Sequence, residues 1–226
     1  ELQLFILALG TGIQDAVVYP QFGCFVSNQT GNTVVFAVGA LSRRGAHPIV
    51  SSVSLPATAT SLGLFIASLF ITGQLANFLD VVQRRWWLFS TSLFQCAVIA
   101  IAAALLYRLP GASHASNGLS LLVISLLAFS SGAQVGMVRA LKITDITTAM
   151  ATAAWIDVLI DPKCFAPLTQ NRGRNRRVGF LLSLVVGSFI GAAAHAELGP
   201  GFAVILSLLT RLLATGTCLV LPTRSI

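Results

Sequence analysis

The residues of this chain that could do chemistry are concentrated in Phe25-Val26-Ser27-Asn28-Gln29-Thr30-Gly31-Asn32-Thr33, a run of amides and hydroxyls between apolar stretches. Away from water, each such group costs free energy unless something bonds it. The run is read as the broken middle of a membrane helix, where free backbone groups and polar side chains together can bind a polar or charged ligand. Polar glue between helices is the structural alternative. Just upstream, Gln14 and Asp15 interrupt an apolar stretch. An ionisable group in such a place is by default a functional hypothesis. Asp15 is expected to contact substrate or carry a proton; an N-cap or a structural ion pair is the alternative.

A second polar group follows later, with Gln134, Arg139, Thr144, Asp145, Thr147 and Thr148. The expected binding set is Gln14, Asp15, Tyr19, Asn28, Gln29, Thr30 and Asn32 from the first half, with Gln134, Arg139, Asp145 and Thr147 from the second. Asp15 and Arg139 could face each other as a buried pair, or Arg139 and Lys142 could snorkel to a surface. Arg211 lies deep in the last apolar run and needs an acceptor, for which Asp157 is the candidate. Gly187-x-x-x-Gly191 fits close helix packing, and His195 reads as an interfacial or capping residue.

Enzyme signatures are missing: there is no Gly-x-Ser-x-Gly, His-Glu-x-x-His or phosphate loop. An intramembrane enzyme could use Asp15, Asp145 or Asp157 as a general acid on a lipophilic substrate. Without a paired base the reading leans away from an enzyme, and no catalytic residue is assigned. Cys24, Cys96, Cys164 and Cys218 show no metal-ligand spacing, so no metal or cofactor is expected.

The elements that must position these residues follow from composition. The 226 residues are 55% hydrophobic and 9% charged, with mean hydropathy +0.85, against about 25% charged in soluble domains. This predicts an all-α, multi-pass integral membrane protein of roughly six to eight elements of about 20 residues, with no second domain. The apolar runs are 2–19, 22–41, 55–79, 86–107, 119–141, 143–160, 178–196 and 201–221, with breaks at Tyr19-Pro20-Gln21, near 26–33 and near 143–148. The net charge of +7 sits mostly in loops, which fits positive-inside orientation rather than nucleic-acid binding. The expected partners are a small-molecule substrate and the bilayer; oligomeric state is open.

Two pseudo-symmetric halves, 1–109 and 118–226, are expected within the single membrane domain. Gly12-Ile13-Gln14 matches Gly132-Ala133-Gln134, and Val26 to Thr30 matches Ile143 to Thr147. Ala67 to Phe70 matches Gly187 to Ile190, and Ser92 to Gln95 matches Ser207 to Thr210. The four pairs keep one order at separations of 115 to 120. Four spans per half make the repeats parallel and three make them inverted. Counting Lys and Arg gives nine against four with eight spans. With six spans, elements two and six dipping in and returning, it gives ten against three. Both place the termini and the Arg-rich loop 163–177 in the cytoplasm.

Gly12-x-x-Asp15-Ala16 followed by Phe25 to Thr33 resembles the YoaK-like membrane family, a domain of unknown function (number 1275). Arg174-Asn175-Arg176-Arg177 resembles a feature of fungal members. The resemblance covers essentially the whole chain and implies a compact multi-span helical protein, with no chemistry attached. The function expected from the residues is transport of a small polar or amphipathic solute, bound where two broken helices meet. The alternatives are the intramembrane enzyme and a structural or assembly subunit.

Overall fold

Apolar runs of about 20 residues, with few charges and no strand-type alternation, fold as long helices, because lipid leaves the backbone no other partner. The computed structural model describes residues 1–42, 54–108, 118–141 and 148–220. The helices are α1 (Leu2–Phe22), α2 (Gln29–Ser42), α3 (Leu55–Phe78), α4 (Arg85–Arg108), α5 (Gly118–Ala140), α6 (Ala151–Leu159), α7 (Arg172–Leu198) and α8 (Pro200–Val220). Six of them, α1, α3, α4, α5, α7 and α8, are long and apolar enough to cross a membrane. The protein is therefore a multi-pass, all-helical membrane protein.

The two remaining elements are short. The 14 residues of α2 reach about 21 Å and the 9 of α6 about 14 Å, less than the roughly 30 Å hydrocarbon core. Of the six-span and eight-span readings, the described residues fit six, with α2 and α6 as half-length helices among them.

Three boundaries differ from the sequence reading. Pro20 lies inside the last turn of α1, which runs on to Phe22. There it removes one donor, and the helix stops instead at Gly23, whose φ of 69° suits glycine and whose N–H reaches Tyr19 O at 2.9 Å. The break lies at the front of the polar run rather than in its middle: residues 23–28 form a turn, and α2 starts at Gln29. The arginines expected in a loop open α7, because Asn171 caps that helix through Arg174 N.

Packing pairs α1 with α7 and α3 with α5 most extensively. Both pairs are parallel. Gly187 meets Leu9 and Gly191 meets Ile13, so the small-residue motif packs as expected. In the other pair Gly132 meets Phe65 and Ser68, and Gly136 meets Leu69 and Thr72. Gly12 sits against Leu184 and Ser188 as Gly132 sits against Phe65 and Ser68, so Gly12 and Ser188 differ from Gly132 and Ser68 by 120 each. A Cβ at either glycine would collide with backbone of the neighbouring helix. Glu1, at the start of α1, bonds Arg172 and Arg176 at the start of α7, whereas Ser61 near the start of α3 bonds Phe25 beyond the end of α1. The two parallel pairs therefore run in opposite directions. α1 and α5 are the most buried of the six long helices.

The apolar core is divided. One cluster holds Val17, Val18, Phe22, Ile99, Leu106, Ile124, Leu127 and Val204. A second, toward Glu1, holds Leu4, Leu7, Met137, Phe180, Leu181 and Ala214, and a small third holds Ala76, Val81 and Trp87. Along α1, α5 and α8, between the first two clusters, lie the buried polar residues Thr11 and Gln14, Ser130, Ser131 and Gln134, and Ser207 and Arg211, beside the apolar Ile13, Ala133 and Val135. A polar layer thus lies between two apolar ones.

Candidate functional site

Two polar assemblies organise the bundle. The first ties the turn after α1 to its neighbours. Asp15 Oδ1 accepts from Val26 N at 2.9 Å and Ser27 N at 3.1 Å, and Ser27 Oγ donates to Asp15 Oδ2. Asn32 treats Phe25 as a strand partner would: its Oδ1 accepts from Phe25 N at 2.8 Å, and its Nδ2 donates to Phe25 O at 2.7 Å. Asn32 Nδ2 also reaches Gln29 Oε1 at 2.8 Å and Ser61 Oγ at 3.2 Å. Gln29 Nε2 donates to Val26 O at 3.1 Å, and Asn28 Oδ1 accepts from Gly31 N at 3.1 Å, capping α2. Gly31 packs closely, since a Cβ there would stand 3.1 Å from the Phe25 ring. The amides that looked like ligand groups largely satisfy one another and the turn's backbone.

The second assembly is the polar layer. Arg211, 4% exposed at the middle of α8, donates through Nη1 to Gln95 Oε1 and through Nη2 to Gln134 Oε1. Gln134 Nε2 donates to Thr11 Oγ1 at 3.3 Å, and Gln14 Nε2 to Ser207 Oγ at 3.0 Å. Thr215 Oγ1 donates to Arg211 O at 2.9 Å and lies 3.6 Å from Cys96 Sγ. Arg211 makes no ion pair with any described carboxylate; the expected acceptor, Asp157, is 3.5 Å from Arg177 instead. The guanidinium is bonded by uncharged amide oxygens and keeps its charge, an expensive arrangement for a buried ion.

Beside Asp15 a groove of about 420 Å³ opens on the outer side of the bundle, lined by Tyr19, Pro20, Phe25, Ser188, Phe189 and Ala192. Tyr19 stacks on Phe25 with ring centroids 4.5 Å apart. The lining is apolar apart from Asp15 and Ser188, and both oxygens of Asp15 are already engaged by the turn.

The expected binding residues therefore fall in several places. Gln14 and Gln134 join the polar layer; Asp15, Asn28, Gln29 and Asn32 hold the turn; Tyr19 borders the groove. Thr30 is exposed. Arg139 is exposed at the end of α5, where its Nη2 is 3.8 Å from Met150 Sδ, so it does not pair with Asp15. Asp145 and Thr147 lie outside the described residues. Sequence reasoning missed Gln95 and the link from Arg211 to the glutamines. Spacing carried a signal for both: Ser207, Arg211 and Thr215 recur every four residues, and Ser92 and Gln95 share one helix face. Arg174 was also missed. It is buried and donates to Cys164 O and Ala166 O, tying the loop before α7 to its first turn. Among the described residues no group of His, Cys, Asp and Glu could hold a metal ion.

Searches of curated proteins and of solved structures found no match. A family model described as "Protein of unknown function (DUF1275)" matches residues 3–217. With that match running through all six long helices and both polar assemblies, the chain belongs to the DUF1275 family.

Proposed function

We propose that this chain is a membrane transporter of a small polar or amphipathic solute, built from two inverted halves, 1–109 and 118–226. The observation that carries the reading is the buried polar layer, closed by an apolar cluster on each side. A solute site at mid-membrane must be polar, must be shut from at least one face at a time, and lies where repeats meet. The antiparallel relation of the α1–α7 and α3–α5 pairs and the matching glycine contacts support the inverted arrangement. The proposed site is lined by Gln14, Thr11, Gln95, Gln134, Ser207 and Arg211, with the Asp15 turn as a support that fixes the end of α1. The six-span tally of ten Lys and Arg against three supports a cytoplasmic Glu1 end.

Efflux from proteoliposomes loaded with lactate, inorganic phosphate, alanine, glycerol or choline tests the reading. At least one solute is expected to leave faster than from protein-free vesicles. If none does, the transport reading fails.

The groove favours a second reading. An apolar recess beside a carboxylate on the outer side of the bundle suits a lipophilic substrate. Binding of a fluorescent lipid that is lost in Phe189→Asp but kept in Arg211→Gln would support it.

A further inference from the structure

We propose that the polar layer is an anion-binding centre with Arg211 as its charged member, and that the solute is a small carboxylate or oxyanion; this rests on the transport reading above. Arg211 brings donors and a fixed positive charge, and no acceptor. Gln95 and Gln134 each turn their side-chain oxygen to it. Gln95 Nε2, Ser92 Oγ and Ser130 Oγ are then left buried with no hydrogen-bond partner. All three residues are 0% exposed. Ser92 precedes Gln95, and Ser130 precedes Gln134, by one helical turn. The unpartnered groups therefore lie along the same faces as the two amides that hold the guanidinium.

The layer thus holds a positive charge with no described counter-charge, together with one amide N–H and two hydroxyls that can still donate. A neutral solute would leave the charge uncompensated, and a cation would oppose it. An anion that only accepts hydrogen bonds corrects both at once, and a guanidinium fork suits the paired oxygens of a carboxylate or oxyanion. Gln95 is the acceptor best placed to change partner: if Arg211 Nη1 turns to the anion, the Gln95 amide is released.

The test is thermal melting of the purified full chain in detergent with sodium formate, lactate, phosphate or sulfate, against sodium chloride at equal ionic strength and against glycerol and choline. At least one of the four anions is expected to raise the melting temperature by several degrees, as a ligand well above its dissociation constant does. Arg211→Gln should abolish the rise and Arg211→Lys should keep part of it. If Arg211→Gln fails to fold, protection of Ser207→Cys from a thiol reagent by the same anion replaces it. Stabilisation by none of the four anions, or a full response in Arg211→Gln, overturns the proposal. The two readings separate cleanly. Efflux of glycerol or choline with no anion effect removes the anion centre and leaves transport. Anion stabilisation with no efflux of any solute keeps the centre and removes transport.

Discussion

Asn32 replaces a missing piece of backbone. Its amide pairs with both the N–H and the C=O of Phe25 and is fully buried. Asn32→Ala leaves the Phe25 N–H without a partner and is expected to destabilise the protein by about 2–4 kcal/mol, read as a lower melting temperature in detergent. Asp15 acts on the next two residues. Asp15→Ala should cost roughly 3 kcal/mol, because it strands the Val26 and Ser27 N–H groups. Asp15→Asn should cost clearly less, since an amide can still accept from the backbone and donate to Ser27 Oγ. The importance of Asp15 and the polar run was legible in the sequence, because such groups are improbable in an apolar stretch without a task. That their main partners would be one another was not legible, because it depends on the turn that Gly23 creates.

At the scale of the element, the parallel pairs rest on glycines at the points of closest approach. Gly12→Ala and Gly132→Ala each place a methyl against the neighbouring backbone, at Leu184 or Phe65. Each should lower stability by about 1–3 kcal/mol. Similar losses in the two variants are what equivalent helices require. Gly63→Ala, where a Cβ meets nothing within 4 Å, should be neutral or stabilising. The start of α7 responds to acid. Asp161 accepts from Asn171 Nδ2 at 2.9 Å and from Lys163 N at 2.8 Å. The Asn171 bond, followed by the Lys163 bond, holds its carboxyl below the ordinary value. A carboxyl lowered on folding stabilises above its unfolded pKa, and that contribution fades as pH falls through the lowered one. Melting of the wild type should therefore lose ground to Asp161→Asn below about pH 4, and the two should keep a constant difference near neutrality. The small-residue motif of α7 was plain in the sequence. The start of α7 was not, because Asn171 works as a cap only once the loop before it closes on Arg174.

For the whole molecule, apolar runs identified the six long helices, and the matches between Gly12 and Gly132 and between Ser68 and Ser188 fell on real contact points. The polar layer was harder to read, because Gln95, Gln134 and Arg211 come from three helices far apart in the chain and meet only after packing. Six spans place Asn28 and Arg172 at opposite ends of the bundle. Asn28→Cys and Arg172→Cys, in a chain without other cysteines, should react with an impermeant thiol reagent from opposite sides of the membrane. Labelling of both from one side would contradict the six-span arrangement. The central claim is that the polar layer opens to each side in turn. Ser207, buried beside Gln14 in that layer, reports on it directly when changed to cysteine in the same background. The account predicts that impermeant reagent reaches Ser207→Cys in both right-side-out and inside-out vesicles, and that a bound anion slows the reaction. A thiol that stays unreactive from both faces would contradict it.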